Sequence, residues 1–187
     1  MAGIRQAQKR LSREKILEAA SRRLRAQGPD RVGIQAVMQE AGLTHGAFYA
    51  HFQNKEQLAV AAFEHAIETS QPPWFAAAED CGTFEERLSV LARRYLTPEH
   101  REHRESGCAI AALASDVVGA SPGLQASYSR AVEDTVQKIA NGDAEYVDAA
   151  IEFLAAITGA LSLARNTSDA ELSDRILDVC LSRYSLT

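Results

Sequence analysis

The sequence predicts an all-α protein of about nine helices, and three observations lead to this prediction. Apolar residues recur at three- and four-residue spacing along most of the 187-residue chain, which is the period of a helix that buries one face. Capping and stop signals bracket these segments. We find no stretch in which apolar and polar residues alternate as they do in a half-buried strand.

The first two helices are predicted from their end signals. Ser12 is the expected N-cap of the first helix, and Gly28 followed by Pro29 ends it. A short second helix contains Ile34 and ends at Gly42, where glycine suits the left-handed backbone of a tight turn. This second helix, the tight turn at Ala41-Gly42-Leu43-Thr44 and a third short helix after it are predicted to form a helix-turn-helix.

That third segment begins after Thr44, which is the predicted cap of a helix of barely two turns. Phe48 and Phe52 lie four residues apart and therefore share one helical face. We expect both rings to point inward against the first two helices. The opposite face of this helix is then predicted to be free.

A fourth helix is predicted from the capping-box spacing of Asn54 and Gln57. Pro72 and Pro73 are expected to end it, because proline cannot donate a backbone N–H and clashes with the preceding turn. The two prolines also mark the predicted boundary between two parts of the chain.

The predicted organisation is a three-helix helix-turn-helix domain over residues 1–54, a connecting fourth helix over residues 55–71 and a helical C-terminal domain over residues 72–187. The helix ends of the C-terminal domain are predicted from Thr83-x-x-Glu86, Ser121-Pro122, Asn141-Gly142, Asp143 and Ser168-x-x-Glu171.

Charge is distributed unevenly along the chain. Residues 1–60 hold ten Lys and Arg against five Asp and Glu, a net charge of +5, whereas residues 61–187 carry −10, and the whole chain carries −5. A basic N-terminal part on an acidic body is typical of a protein in which one domain meets a polyanion. A chance segregation of surface charge is the alternative.

Composition also bears on the compartment. Three cysteines form no paired motif, and the N-terminus has no apolar signal segment, so we expect a reducing, cytoplasmic setting. The longest apolar stretch, residues 149–164, contains Glu152 and is predicted to be too short to span a bilayer. No membrane partner is therefore expected.

The free face of the third helix has the composition of a surface that approaches DNA. It carries small residues among polar ones, which lets a helix lie close in a major groove with side chains that reach base edges. An ordinary helical hairpin is the alternative. The expected free-face residues are Thr44, His45, Gly46, Ala47, Tyr49 and Ala50.

Lys55 supports the DNA hypothesis. It lies in the first turn of the fourth helix, where the helix dipole disfavours a cation. A phosphate bound at the free amide groups of that turn would reverse this penalty. Tyr49 and His51 lie just upstream and can donate to neighbouring phosphates. A solvated lysine that tolerates a small cost is the alternative.

Residues 12–60 resemble the N-terminal domain of the tetracycline-repressor (TetR/AcrR) family of transcriptional regulators. The shared features are the I-L-E-A-A run of the first helix, Gly28, the A-G-L turn, Gly46, the F-Y-x-H-F run at 48–52 and N-K-E-x-L at 54–58. Gly33 departs from the family, in which Thr or Ser often caps the second helix.

The resemblance implies a DNA-binding role for these residues. Members bind palindromic operator DNA as homodimers, usually as repressors that a small ligand releases. Thr44, His45 and Gly46 correspond to the positions that meet base edges, and Tyr49, His51 and Lys55 to those that contact phosphate. Arg13, with Lys9 and Arg10, is expected to approach the backbone, and Gln35 is expected to reach a phosphate.

The C-terminal domain offers a dimer face. The apolar helix at residues 149–164 carries small residues at four-residue spacing, which allow two helices to approach closely. With the last helix it would form a four-helix interface with its twin, as in the family. Burial within one chain is the alternative. The residues predicted at the interface are Ala155, Ala156, Gly159, Leu163 and Ile176.

A ligand chamber is predicted from the large aromatic residues of the C-terminal domain. Trp74, Phe75, Tyr95 and Tyr128 are available to line it, and such a chamber would favour a largely apolar small-molecule effector. Each of them is otherwise a plain core residue. We find no cofactor fingerprint, so no cofactor is expected.

Cys108 carries an alternative function. It opens a helix-like run that resembles a Gly-Cys-led helix in family members that sense electrophiles through that cysteine, and a helix N-terminus favours a thiolate. A buried, inert thiol is the opposing interpretation. His100 and His103, among several glutamates, are interpreted as part of a solvated segment rather than as a metal site.

Two other classes of function compete with DNA binding. An enzyme that uses His45, Tyr49 or His51 is disfavoured, because no carboxylate lies nearby in sequence to orient a histidine and no phosphate or metal motif accompanies them. A helical dimer that acts only through protein partners is the remaining class.

Overall fold

The computed structural model describes residues 2–186, and within these residues it is entirely helical, without strands. The all-α prediction is confirmed. Four short 3-10 turns lie between the α-helices, at Pro29–Arg31, His45–Ala50, Val117–Gly119 and Ala144–Tyr146. The α-helices are α1 (Ala2–Gln27), α2 (Ile34–Glu40), α3 (Lys55–Ala76), α4 (Phe84–Tyr95), α5 (Pro98–Glu102), α6 (Ala109–Leu113), α7 (Pro122–Ile139), α8 (Val147–Asn166) and α9 (Ala170–Ser182).

Helix α1 is longer than predicted, since it begins at Ala2 and not after Ser12. The Ser12 hydroxyl does not cap the helix and instead donates to the carbonyl of Gln8, 2.9 Å away. The residues before Ser12 are rich in Ala, Arg, Gln and Lys and contain no proline, so intrinsic propensity carries the helix through them.

The predicted third helix is a 3-10 segment at His45–Ala50 (the 45–50 segment) and not a short α-helix. Its bonds run from Ala47 N–H to the Thr44 carbonyl (3.0 Å) and from His51 N–H to the Phe48 carbonyl (2.9 Å). Thr44 occupies the N-cap position but makes no side-chain cap. Six residues form too few bonds to offset helix nucleation, so tertiary contacts determine the backbone.

Phe48 and Phe52 point inward as predicted. Both rings are almost fully buried, and they lie 5.7 Å apart between centroids. They belong to a hydrophobic core that α1, α2 and α3 share with residues of α6 and α7. Burial of two phenylalanines stabilises this short segment far more than its own hydrogen bonds do.

Helix α3 contradicts the prediction that Pro72 and Pro73 end it, because it continues through both to Ala76. Both prolines are exposed, so water reaches the carbonyls that lose their donors. Tertiary bonds hold the helix on either side: Gln71 Nε2 donates to Thr135 Oγ1 (2.6 Å), and Trp74 Nε1 donates to the Leu91 carbonyl (2.9 Å). The division into domains at residues 54 and 72 stays a prediction.

Three of the five end signals predicted for the C-terminal part are confirmed. Thr83 and Glu86 form a complete capping box on α4. The Ser121 hydroxyl accepts from the Leu124 N–H at the start of α7, with Pro122 in the first turn. After α7, Asn141 and Gly142 both adopt positive φ, at 55° and 76°.

Two caps lie elsewhere than predicted. Asp169, and not Ser168, caps α9 by accepting from the Leu172 N–H at 3.0 Å. Asp143 caps the 3-10 turn Ala144–Tyr146, after which α8 begins at Val147. The first deviation arises from a choice between adjacent capping residues, which the sequence pattern does not resolve.

Helix α8 forms the centre of the second core, which also draws on α4, α7 and α9. Phe153, Ile157 and Leu161 are fully buried in it. The prediction that this apolar stretch is too short for a bilayer is wrong: Ala144–Asn166 has 23 residues and a mean hydropathy of 1.6, long and apolar enough by those two measures. A central helix of a helical bundle has the same properties.

Arg87 on α4 is buried and serves as a structural crosslink that sequence reasoning missed. Its guanidinium donates to the carbonyls of Ala78 (2.7 Å), Lys138 (2.8 Å) and Ile139 (3.1 Å). The last two belong to the C-terminal end of α7, where carbonyls lack helical partners and favour a cation. Arg87 therefore ties α4 to the ends of α3 and α7.

We expect Arg87→Ala to lower the free energy of unfolding by about 2–4 kcal/mol, because it leaves three buried or half-buried carbonyls without a donor. Urea denaturation followed by circular dichroism measures this. Arg93→Ala, an exposed arginine on the same helix, is the matched control and should change stability by less than about 0.5 kcal/mol. Equal stability of the two variants would contradict the role of Arg87.

Candidate nucleic-acid interface and ligand chamber

The 45–50 segment presents its polar side outward. Thr44, His45 and Gly46 are exposed, and Tyr49 is 64% exposed. A Cβ added at Gly46 would meet nothing within 4 Å, so no contact inside the chain requires a glycine there. The free face predicted from sequence is therefore accessible in the structure, except at Ala47, which is half-buried and packs against the core that contains Phe48.

The turn before this segment sets its direction. Gly42 has φ 69°, which side-chain-bearing residues rarely adopt, and its N–H donates to the Gln39 carbonyl (3.1 Å). The Leu43 N–H donates to the Met38 carbonyl (2.9 Å). These bonds close α2 in the manner of a Schellman motif and turn the chain sharply into the segment.

An ion-pair fork fixes α2 against α1. Glu40 receives Arg22 Nη2 at 2.7 Å on one carboxylate oxygen and Arg23 Nε at 2.5 Å on the other. Two arginines that share one carboxylate define orientation as well as distance. Sequence reasoning missed this pair, since its members are 17 and 18 residues apart.

Aromatic contacts orient Tyr49. Its ring packs edge-on against the buried Phe48 at 5.2 Å between centroids, and the His45 ring lies 6.0 Å from it. Edge-to-face packing restricts the ring while the side chain stays largely exposed. The phenol group is thus held on the surface of the segment.

Lys55 has a partner inside the protein that the sequence did not predict. Its Nζ donates to the backbone carbonyl of Asp30, 2.7 Å away, in the loop between α1 and α2. The lysine therefore ties the start of α3 to that loop. An ammonium group has three donors, so this bond leaves two that are directed elsewhere.

Two side-chain hydrogen bonds cap the start of α3. Asn54 Oδ1 accepts from the Gln57 N–H (2.8 Å), and Gln57 Oε1 accepts from the Gln53 N–H (2.7 Å). The second bond reaches one residue further back than the predicted capping box. The cap places Lys55 in the first turn of α3, as expected.

Basic residues of α1 border the segment. The Arg13 guanidinium lies over the Phe52 ring at 5.3 Å, within cation–π distance. The pKa of His51 lies below the usual value, mainly because the ring is half-buried and also because the cations Lys9 and Arg13 are nearby. Arg10 is exposed and lies 3.8 Å from Glu14, and Gln35 is exposed near the start of α2.

A cavity of about 190 Å³ lies in the C-terminal part, between α3, α4 and the chain before α6. Of the five residues predicted to line it, Trp74, Tyr95 and Cys108 do so. Phe75 instead packs on Trp74 at 4.7 Å and under the Arg87 guanidinium. Tyr128 lies outside this cavity, where its hydroxyl donates to the Ile110 carbonyl (3.1 Å).

His100 is locked in one tautomer at the wall of this chamber. Its Nδ1–H donates to the Tyr95 carbonyl (2.8 Å), so Nε2 is free to accept from the Cys108 N–H (3.0 Å). Burial lowers the pKa of His100; the bond to the Tyr95 carbonyl opposes this shift, and Arg165 adds to it. Neutral His100 therefore joins α5 to the start of α6. Within residues 2–186 no cluster of three His, Cys, Asp or Glu side chains would hold a metal ion.

A buried arginine connects the chamber to the N-terminal part. Arg25 of α1 is 5% exposed, and its Nη1 donates to the carbonyls of Gly107 (3.2 Å) and Ser106 (3.5 Å). Burial lowers its pKa, an effect that Glu18 partly offsets. Residues 106–108 (the 106–108 loop) also line the chamber. Hydrogen bonds therefore join α1 directly to the chamber wall. Sequence reasoning missed this contact.

The 106–108 loop is tightly enclosed. A Cβ added at Gly107 would lie 2.7 Å from a ring carbon of His100 and 2.9 Å from Arg165 Nη2. Arg165 Nε in turn donates to the Arg101 carbonyl (3.1 Å). The glycine lets three helices meet at one point, where α1, α5 and α8 each contribute a side chain or carbonyl.

The outer face of α8 and α9 is apolar and exposed. Leu163 is 62% exposed and Val179 61%, and Ile151 and Leu172 are about half exposed. Of the other residues predicted at a dimer interface, Ala155 and Gly159 are exposed, whereas Ala156 and Ile176 are half-buried. Helix α8 is thus buried on one face within the chain and uncovered on the other.

Comparisons with known proteins fit this geometry. Residues 16–62, about a quarter of the chain, match the model of the family described as bacterial regulatory proteins, tetR family. The HTH-type transcriptional regulator LmrA of Bacillus subtilis (strain 168) is 46% identical over 58 residues, which are 30% of this chain and 31% of that protein. The matched segment therefore spans about a third of the length of this relative.

Solved structures extend the likeness to the whole chain. A TetR transcriptional regulator from Chloroflexus aurantiacus J-10-FL superposes with a TM-score of 0.79 at 20% identity, over 95% of this chain and 94% of that one. The reduced form of NemR from E. coli gives 0.78 at 19% identity, over 93% and 95%. At this identity the likeness concerns the fold. The N-terminal segment is thus similar to the tetR family of bacterial regulatory proteins, and the whole chain shares the fold of solved members of that family.

Proposed function

We propose that this protein is a sequence-specific DNA-binding transcriptional regulator, a repressor that a small ligand releases from a palindromic operator. The observation that carries the proposal is the exposed polar face of the 45–50 segment, which Phe48 and Phe52 anchor inside a domain that matches the family model. The charge of +5 over residues 1–60 favours approach to a polyanion. A cytoplasmic location follows from this function.

The proposed DNA contacts divide into two groups. Thr44, His45 and Gly46 meet base edges, because they open the exposed segment and are small or polar. Tyr49 and Lys55 contact phosphates, with Lys55 oriented by its bond to the Asp30 carbonyl. In this position the lysine and the start of α3 can bind the same phosphate. Arg13, Gln35 and His51 would contribute further backbone contacts.

A homodimer supplies the twofold symmetry that a palindrome requires. The uncovered apolar face of α8 and α9 is proposed as its interface, since Leu163, Val179 and Leu172 otherwise stay in water. Ala155 and Gly159 on the same outer side let the paired helices approach closely. The expected separation of the two 45–50 segments is about one DNA turn, roughly 34–36 Å.

Ligand release requires coupling between the chamber and the DNA-binding part. The bonds of Arg25 to the 106–108 loop supply a direct physical path, because the loop lines the chamber and Arg25 belongs to α1. A ligand that displaces the loop would lengthen these bonds and tilt α1 with α3. Such coupling needs a ligand affinity that differs between the two states.

Cys108 supports an alternative within the same fold, in which an electrophile or oxidant replaces the reversible ligand. Its thiol lines the chamber beside Tyr95 and is half-buried, so a small reagent can reach it. It precedes a helix of only five residues, whose dipole is small. We therefore rank the reversible ligand first. An enzymatic role is not proposed.

Replacing Lys55 by alanine tests the DNA-binding proposal. We expect roughly tenfold weaker binding to the DNA upstream of the encoding gene, and a salt dependence whose slope falls by about 1 for each phosphate that is no longer neutralised. Mobility-shift titration across salt concentrations measures both. Arg93→Ala, which removes an exposed charge from the C-terminal part, is the control and should bind as the unaltered protein does.

The proposal would be contradicted if the unaltered protein bound its upstream DNA no more tightly than random DNA. An unchanged affinity in Lys55→Ala would assign the lysine to the Asp30 bond alone. Sedimentation should show the same dimer for all three proteins, so that a weaker affinity does not reflect a failure to assemble.

Replacing Arg25 by methionine tests the coupling path without knowledge of the ligand. Binding free energies are reciprocal, so DNA binding should alter the chamber, and Trp74, the single tryptophan, lines it. We expect DNA to change Trp74 fluorescence, excited at about 295 nm, in the unaltered protein and to change it much less in Arg25→Met. Arg93→Met is the control.

An equal fluorescence response in Arg25→Met and in the unaltered protein would exclude this path. Because Arg25 is buried, thermal unfolding should be measured beside it. If Arg25→Met does not fold, Arg25→Lys keeps the charge while removing the two-carbonyl geometry, and a reduced response is again expected.

The pKa of His100 predicts how the free energy of unfolding depends on pH. Its folded pKa lies below the unfolded value of about 6.5, so its contribution to stability is complete above that value and is lost as pH falls through the folded pKa. Protonation also ends the bond from the Cys108 N–H to Nε2. We expect the unaltered protein to lose more free energy of unfolding between about pH 7 and pH 5 than His100→Gln does.

Urea denaturation at a series of pH values measures this difference. His103→Gln, which replaces an exposed histidine three residues along, is the control and should follow the unaltered protein. Parallel pH curves for His100→Gln and the unaltered protein would show that His100 is not held neutral by this wall.

A further inference from the structure

The Tyr95 hydroxyl makes no hydrogen bond of good geometry within residues 2–186, and its polar side-chain neighbour is the Cys108 thiol, a weak acceptor. Tyr95 is 4% exposed, it lines the chamber, and its hydroxyl oxygen has no hydrogen-bond partner within residues 2–186. A buried hydroxyl left unpaired is costly, and such groups in folded proteins normally find a partner in the chain, in solvent or in a ligand. The hydroxyl therefore marks a place where a polar atom belongs.

Other polar side chains of the chamber wall are already engaged. Thr135 Oγ1 donates to a backbone carbonyl (2.6 Å) and accepts from Gln71 Nε2 (2.6 Å). Gln71 Oε1 accepts from Lys138 Nζ (3.1 Å), and both ring nitrogens of His100 bond to backbone groups. Among the buried wall groups within residues 2–186, Tyr95 is thus the one that is free to recognise a polar atom.

Volume and wall composition set the size of an occupant. The chamber measures about 190 Å³, and Trp74, Ile110 and Leu154 supply apolar walls. A protein cavity of about 150 Å³ accommodates one benzene molecule. One six-membered ring with a few further heavy atoms therefore fills this chamber.

The charges of the wall favour an uncharged occupant. Over the described part of the chain no Asp or Glu lines the chamber, and Arg94, the one group there with a fixed charge, is exposed. A carboxylate beside Tyr95 would lose its hydration and gain a hydrogen bond from a single donor. Burial of a charge without full pairing is costly. A cation would meet Arg94 and no carboxylate.

We propose that the chamber binds a compact, uncharged, one-ring molecule whose carbonyl-type oxygen accepts a hydrogen bond from the Tyr95 hydroxyl. This rests on the proposed function, of which it specifies the ligand class. The Tyr95 ring packs edge-on against His100 at 4.5 Å, and the Tyr95 carbonyl holds His100 Nδ1. A ligand bound to Tyr95 therefore contacts a residue that packs on His100. His100 accepts from the Cys108 N–H of the 106–108 loop, and Arg25 of α1 donates to the same loop.

Calorimetric titration with three probes of equal ring size tests this proposal: acetophenone, α-methylstyrene, which replaces the carbonyl oxygen by a methylene group, and benzoate. We expect acetophenone to bind the full-length protein more tightly than the other two. Tyr95→Phe should weaken acetophenone binding about tenfold, the usual effect of one hydrogen bond in a buried site, and leave α-methylstyrene unchanged or tighter. Tyr128→Phe, whose hydroxyl lies outside this chamber, is the matched control and should change neither.

Four outcomes would overturn the proposal. They are equal binding of acetophenone and α-methylstyrene, equal losses of both in Tyr95→Phe, tighter binding of benzoate, and no binding of any probe at millimolar concentration. Unchanged α-methylstyrene binding in Tyr95→Phe shows that the variant keeps its chamber.

A parallel mobility-shift assay on the same preparation separates the two proposals. Specific DNA binding without probe binding would leave the regulator proposal intact and overturn the ligand class. Loss of specific DNA binding with intact probe binding would do the reverse.

Discussion

Helix α3 belongs to both hydrophobic cores, and the rest of the structure depends on this shared helix. Its first half buries Leu58, Ala62 and Phe63 in the N-terminal core, and its last turns place Trp74 and Phe75 against the second core. The helix achieves this by running through two prolines, with Gln71 and Trp74 bonded to α7 and α4. Packing energy on both sides outweighs the backbone bonds that proline removes. A movement at either end is therefore carried by one continuous element.

The second connection between the two parts is polar and local. Arg25 reaches from α1 to the carbonyls of the 106–108 loop, and His100 holds the next N–H of that loop. Buried hydrogen bonds to a cation are strong but depend on geometry, whereas the apolar contacts along α3 tolerate small shifts. A small displacement of the loop thus has a larger energetic effect than an equal displacement within the core. This makes the loop a suitable place for a chamber to influence α1.

Local patterns predict much of the fold and of the candidate interface, while long-range partners escape them. Phe48 and Phe52, four residues apart, are assignable to the interior because helical spacing is a property of the sequence itself. The capping box at Thr83 and the stop at Asn141 are recognisable for the same reason. Lys55 shows the limit: its first-turn position follows from the sequence, but its partner, the Asp30 carbonyl, lies 25 residues away. The same holds for Glu40 with Arg22 and Arg23, and for Arg87 with the end of α7.

The sequence by itself determined that the chain is helical, where most helices end, that Phe48 of the 45–50 segment faces inward and to which family its first third is similar. These depend on residues within about one or two helical turns of each other. Only the tertiary structure decided that α3 passes through its prolines, that Tyr95 and not Tyr128 faces the chamber, and that Arg25 meets the 106–108 loop. Each of these outcomes depends on which surfaces pack together, because burial on both sides can override a local stop signal and selects the side chains that enclose a cavity.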